Sequence, residues 1–304
     1  MTDTDLAPAV TINLPELDPD ARARAAELIG TAAPLEPDGT MLRGPCLVRA
    51  GGELVAAVLR LSPGPLAWAR KVLLAYPADT STYRGAGIRN RGRTFGNLSR
   101  MALLQRDGCR ACEGAISAPE AHEGIVRMAT IVSSMFADAV PELAARDEEA
   151  ARAVGADWHL GGSQWTSGVA NMTSVLPYHY DRNNLQPVWS AMIVVRRGVR
   201  GGYLHVPELG ASFHCRDGDV VCFPGWRFVH GVTPCKVVEP DGYRISAVYY
   251  CVSRMRHCGT PEAEVARAQK ARTNREANVG DVWERIPGRR DPDAADPLAD
   301  EDGL

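Results

Sequence analysis

Residues 176–184 read LPYHYDRNN. His179 and Asp181 stand two apart, so on an extended chain their side chains fall on one face, an imidazole beside a carboxylate. Two readings follow: part of a metal site, or a polar turn that holds a histidine and an aspartate. The flanking sequence decides between them, and it is strand-like. From Trp165 the chain breaks into the runs WTSGVANMTSVL, VWSAMIVVRR, GGYLHVPEL, ASFHCRD, DVVCFPG, FVHGVTPCKVV and YRISAVYYCVS, with turn residues between them. Closely spaced strands of this kind predict a sandwich or barrel.

On such a scaffold a third ligand comes from a distant strand, and His230 in WRFVHGV is placed at a strand start. Two histidines and one carboxylate on one face leave coordination positions open, the arrangement of non-haem Fe(II) oxygenases. Those open positions are where 2-oxoglutarate and O2 would bind. A lone H-x-D is weak by itself, but Arg244 and Ser246 follow, again two apart on a strand. A guanidinium fork with a hydroxyl suits the far carboxylate of 2-oxoglutarate. Arg244 lies among ISAVYY, residues that read as buried, and a buried arginine needs an anion. A carboxylate at position 181 favours hydroxylation over halogenation, since related halogenases give that ligand up to halide.

The rest of the chain is read more coarsely. Residues 19–30 and 119–150 carry helix-spaced apolar positions, with Pro141 as a break or a new start. PCLVRAGGELVAAVLRLS reads as a hairpin about Gly51-Gly52. TPEAEVARAQKARTNREA reads as a helix begun by Thr260 and Pro261, and the acidic, proline-rich end as disordered. With helices in the first half and strands in the second, the fold class expected is α+β.

The 304 residues carry a net charge of -3, so bulk electrostatics do not announce a nucleic-acid binder. Locally, Tyr83 to Arg110 holds seven arginines against one aspartate, a phosphate-facing patch or a solvated loop. No run approaches the roughly 18 apolar residues of a membrane span, and the N-terminus is acidic without a signal-peptide core. These features predict no membrane association and a cytoplasmic protein, nuclear in a eukaryotic cell, not a secreted one. The eight cysteines show no disulfide framework and read mostly as buried free thiols.

The segments SGVANMTSVLPYHYDRNN, YLHVPEL and RISAVYY together resemble the double-stranded β-helix (jelly-roll, cupin-like) core of the TET 5-methylcytosine dioxygenases and the base-J-binding thymine hydroxylases. The resemblance covers roughly residues 85–252 and is firmest from 165. It implies Fe(II) held by His179, Asp181 and His230, and 2-oxoglutarate held by Arg244, Ser246, His205 and Arg91. It implies further that Asn184 hydrogen-bonds a flipped base and Tyr250 stacks on it. The partner implied is DNA carrying a 5-methylpyrimidine. Each residue also has a structural reading: Asn184 as a turn closer, His205 as an ordinary strand histidine, Tyr250 as a core aromatic.

With that resemblance the expected organisation is an N-terminal helical and hairpin region over 1–84 packing on a dioxygenase core over 85–258, a helix over 259–283 and an acidic tail over 284–304. Val252 stands where the animal enzymes have a histidine, and their cysteine-rich region is reduced here to CRACEG. Cys109 and Cys112, completed by His257 and Cys258, would make a structural zinc site. The missing insertion between His179 and His230 looks like the microbial and phage branch. The resemblance leaves open a thymine hydroxylase, a hydroxylase of a small molecule or peptide, and a module that binds modified bases without oxidising them.

Overall fold

In strand Ser190–Arg197 the first six residues are all buried, which requires a cover on both faces of the sheet. Ala191, Ile193 and Val195 pack into a core shared with helices, while Met192 and Val194 pack into a second core shared with a smaller sheet. That period of two sets the layers: helices, a large sheet, then a small sheet. The computed structural model describes residues 10–76, 81–84, 88–101, 104, 106–173 and 175–284, without the side chains of 81–84, 88–91 and 278–284.

Between Ser167 and Tyr250 the chain alternates between sheets. Strands Asp219–Phe223, Ser190–Arg197, Tyr243–Tyr250 and Ser167–Met172 lie side by side in the large sheet. Strands Ala211–Phe213, Leu204–Val206, His230–Val232 and Leu176–His179 lie side by side in the small one. All these pairings are antiparallel. Phe213, Leu204, Val206 and Val232 from the small sheet meet Met192, Val194, Val221 and Phe223 from the large one, and this apolar layer holds the sheets together.

The N-terminal segment adds strands to both sheets, beyond the packing role expected of it. The hairpin forms as Cys46–Ala50 and Glu53–Arg60, with Gly51 and Gly52 at φ 57° and 81°, the left-handed region that glycine enters freely. Its second strand pairs with Asp219–Phe223, and Thr11–Leu14 adds in parallel beyond it. Thr40–Leu42 pairs in parallel with Ala211–Phe213 of the small sheet.

Helices Pro119–Ala139 and Pro141–Ala151 follow the periodicity, Pro141 opening the second. Ile125, Met128, Val132 and Phe136 sit against the back of the large sheet, where the Tyr249 hydroxyl donates to the Ile125 carbonyl at 3.0 Å. Helix Pro63–Ala75 lies within the helical and hairpin region expected over 1–84, in a stretch to which the sequence assigns no element of its own. Prolines are tolerated in a first helical turn, where their missing N–H is not needed.

Two expectations are corrected. The arginine-rich stretch is a loop only in part, since Ile88–Leu98 is a strand antiparallel to Ser167–Met172. Three of its described arginines are engaged internally, Arg93 with Glu113 and Ser117, Arg100 with Glu264 and the His257 carbonyl, Arg106 with the Ser99 carbonyl, while Arg110 is exposed. Cys109 and Cys258 form a disulfide. The expected zinc site therefore lacks two of its thiolates, and two of the expected free thiols are paired.

Next to this bond the buried Glu264 accepts from the backbone N–H groups of Cys109 (2.8 Å) and Gly259 (2.7 Å), fixing the start of helix Pro261–Glu284. The acidic tail beyond residue 284 lies outside the described residues. Among the described residues no helix is long and apolar enough to cross a membrane.

Candidate metal centre

Strands Leu176–His179 and His230–Val232 pair so that His179 and His230 are directly opposed, their ring centroids 4.4 Å apart. Asp181 follows in the turn after the first strand. Its Oδ1 lies 3.6 Å from His179 Nε2 and 3.8 Å from His230 Nε2. One ligand atom from each residue falls within 4.8 Å of the other two, the only such group of three or more among the described residues.

The imidazoles are oriented by the backbone. His179 Nδ1 lies 2.8 Å from the Pro177 carbonyl and His230 Nδ1 lies 3.0 Å from the Phe228 carbonyl. A carbonyl only accepts, so each Nδ1 carries the proton and each Nε2 turns its lone pair to the shared point. Burial, and next the neighbouring His179, push His230 down to about 4 against the opposing pull of Asp181, so this imidazole is neutral at physiological pH.

Asp181 is held as closely. Its N–H donates to the Gly225 carbonyl at 3.0 Å, and the Asn184 amide nitrogen donates to Oδ2 at 3.3 Å. That same nitrogen donates to Ser190 Oγ at 3.0 Å. A Cβ at position 225 would stand 2.3 Å from Asp181 Oδ2 and 3.3 Å from His230 Cε1, so only glycine leaves room for the carboxylate. Sequence reasoning passed over Gly225 and Ser190, although a glycine in the short FPGWRF turn before His230 was the available signal.

The centre opens into a cavity of about 290 Å³. Leu176, Leu204, Phe223, Val232 and Val248 give it apolar walls, and Tyr250, Asn184 and Arg182 also line it. Asn171, unremarked in the sequence, lines it too and pairs in register with Ser246.

Arg244 and Ser246 come from the large sheet, opposite the metal-binding strands. Their side chains share a face, with Arg244 Nη1 donating to Ser246 Oγ at 3.5 Å. Arg244 is 1% exposed, and its Nε and Nη2 are buried without a hydrogen-bond partner. Burial lowers its pKa, and burial also raises the flanking Cys215 and Cys235 thiols, which keeps them uncharged. The guanidinium thus lacks an anion, as a carboxylate-binding site without its ligand does. A Cβ at Gly202 would stand 2.6 Å from Arg244 Cδ, so a bare backbone makes room for this side chain.

The triad, Asn184 and Tyr250 therefore line one cavity, while Arg244 and Ser246 lie further along the strand that brings Val248 and Tyr250 to it. His205 does not join them. In strand Leu204–Val206 the flanking residues enter the inter-sheet core, which turns His205 to the opposite face. There its Nδ1 meets the Tyr178 hydroxyl at 2.5 Å, so the expected contact to 2-oxoglutarate is corrected to a structural pairing. Arg91 lies in strand Ile88–Leu98, but its side chain is outside the described residues.

No protein-family model matches the sequence, and no curated protein matches it. Among solved structures, NgTET1 in complex with 5mC DNA is similar over 83% of this chain and 97% of that one, at 12% identity and a TM-score of 0.57. An oxidoreductase of the 2OG-Fe(II) oxygenase family from Burkholderia pseudomallei gives 16% identity over 70% of this chain and 94% of that one, with a TM-score of 0.48. A bsmA homolog from Methylobium petroleophilum PM1 gives 16% identity over 66% and 89%, with a TM-score of 0.36. The likeness to the NgTET1 structure is one of fold.

Proposed function

We propose that this protein is an Fe(II)- and 2-oxoglutarate-dependent dioxygenase, built on a double-stranded β-helix over residues 85–258, that hydroxylates the C5 methyl of 5-methylcytosine in DNA. One observation carries the reading: His179, Asp181 and His230 converge on a cavity that Val248 and Tyr250 of the opposite sheet line, and the same strand carries, at the alternating positions 244 and 246, a buried guanidinium with two unpartnered nitrogens and a hydroxyl. The donor set fits Fe(II), with two neutral imidazoles, one carboxylate and coordination positions left open. The Arg244 fork and the Ser246 hydroxyl fit the far carboxylate of 2-oxoglutarate.

Bound Fe(II) with 2-oxoglutarate and O2 supplies oxidation of an unactivated C–H bond, the cosubstrate leaving as succinate and carbon dioxide. The chain supplies placement. Asn184 and the Gly225 carbonyl hold Asp181 in one orientation, and backbone carbonyls do the same for both histidines. Leu204, Phe223, Val232 and Val248 keep water from the interior of the cavity.

At the mouth, Tyr250 offers a ring to an extruded base and Asn184 a directional contact. Both hydrogens of the Asn184 amide are spent on Asp181 and Ser190, which leaves its carbonyl oxygen for the substrate. An acceptor suits the exocyclic amino group of cytosine and not O4 of thymine. The fold shared with NgTET1, solved with 5mC DNA, supports the same choice. Repeated turnover would carry the product on to formyl and carboxyl forms.

The test is nucleoside mass spectrometry after incubating methylated duplex DNA with the protein, Fe(II), 2-oxoglutarate and O2. The expected product is 5-hydroxymethylcytosine, lost in His179→Ala and Asp181→Ala. Succinate formation that leaves every nucleoside intact would sink the DNA substrate while keeping the dioxygenase. Parallel reactions on thymine in DNA and 5-methylcytosine in RNA test the choice of base and polymer.

A further inference from the structure

Arg182 lines the cavity, and the segment hydrogen-bonded to its own carries two more cations that the proposed chemistry does not use. Asn184 and Val252 form an isolated antiparallel bridge, and Ser253 N–H donates to the Asn183 carbonyl at 2.8 Å. These contacts tie the segment after Asp181 to the turn Ser253–His257 that follows the Tyr250 strand. Arg182 projects from the first segment, Arg254 and Arg256 from the second, and all three are exposed. In the turn Met255 is fully buried, which directs the arginines on either side of it outward. The disulfide of Cys258 to Cys109 anchors the end of the turn.

Arg182, Arg254 and Arg256 enter none of the ion pairs among the described residues, whereas Arg24, Arg127, Arg152 and Arg272 do. Acids are also missing from the surrounding sequence: none occurs from Arg182 to Pro207 or from Gly242 to Pro261. Unscreened like charges on hydrogen-bonded neighbouring segments repel one another, and a polyanion lying across them removes that cost.

We propose that Arg182, Arg254 and Arg256 form a phosphate clamp that grips the DNA backbone beside the extruded base. The proposal rests on the DNA reading above and adds the surface that positions the strand. The rim sits on both segments that bear base-contacting candidates, so phosphates held there place the intervening nucleotide over Tyr250 and Asn184. Contacts of this kind set register and carry no sequence information.

The experiment measures duplex DNA binding by fluorescence anisotropy across a salt series, for the wild type and for the triple variant Arg182→Ala, Arg254→Ala, Arg256→Ala. A control triple variant, Lys71→Ala, Arg127→Ala, Arg152→Ala, removes equal charge from the helical side of the molecule. The rim variant is expected to lose about 2.7 from the slope of log affinity against log salt. Between 50 and 200 mM salt the wild type then loses affinity about 40-fold more steeply than the rim variant. The control variant keeps the wild-type slope, and circular dichroism confirms that both variants are folded.

A rim variant with the wild-type slope, or a control variant with an equal loss, overturns the clamp. If the wild type still yields 5-hydroxymethylcytosine in that case, the substrate reading stands without the clamp. A wild type that neither binds DNA nor oxidises it removes both.

Discussion

Replacing Arg244 by methionine separates the protein's need for a cosubstrate from the cosubstrate's need for the protein. Without ligand the guanidinium is 1% exposed with two nitrogens unbonded, a buried charge that costs several kcal/mol to maintain. Methionine keeps most of the stem and discards the charge. Recovering about 2 kcal/mol of that penalty raises Tm by about 3 °C. A hundredfold excess of 2-oxoglutarate over its Kd adds about 2.7 kcal/mol to the wild type. It adds nothing to the variant. The assay is a pair of thermal melts with and without 2-oxoglutarate, with Mn(II) in place of Fe(II) to prevent turnover. The variant should melt above the wild type when empty, and the gap should close or reverse with ligand. An empty variant that melts well below the wild type, or one that keeps the full ligand shift, refutes the account of Arg244 as an anion-seeking charge.

Other outcomes follow from single contacts. Gly225→Ala puts a Cβ 2.3 Å from Asp181 Oδ2 and should weaken Fe(II) or Mn(II) affinity by about 10–100-fold in a metal titration, with circular dichroism unchanged. Burial raises Asp147 to about 6 although Arg146 and the Trp189 N–H oppose it. Its folded pKa lies above the unfolded value, so its favourable contribution is complete below pH 3.8 and lost as pH rises through about 6. Asp147→Asn should therefore gain on the wild type by about 3 kcal/mol between pH 4 and pH 8 in urea melts. Reducing the Cys109–Cys258 bond opens a loop spanning 149 residues and should cost up to about 5 kcal/mol, read as a fall in Tm that Cys109→Ser reproduces without reductant.

The candidate metal ligands and the Arg244–Ser246 pair were legible because each pair obeys a short period. Arg244 and Ser246 are two apart on a strand, which turns them to one face, and Asp181, two past His179 at the strand end, reaches the same point from the turn. His205 was placed at the cosubstrate by the resemblance alone, and which face of its strand turns inward depends on the neighbouring layer, where Leu204 and Val206 take the inner positions. The role of Gly202 is illegible in the sequence because it is the absence of a Cβ, which shows only once Arg244 is in place, whereas Gly225 is hinted at only by its place in a short turn before His230. The disulfide was missed for a related reason. Cys109 and Cys258 are 149 residues apart, and only the docking of helix Pro261–Glu284 through Glu264 brings them together.

The candidate metal-binding histidines belong to the small sheet and Arg244 to the large one, with an apolar layer between the sheets. A dicarboxylate that reaches from one to the other is then a rivet through two plates. With it in place, neither layer separates without breaking an anchor in both. Amide hydrogens of Leu176–His179 and Tyr243–Tyr250 should exchange as a single cooperative unit in the loaded protein and as two units in the empty one.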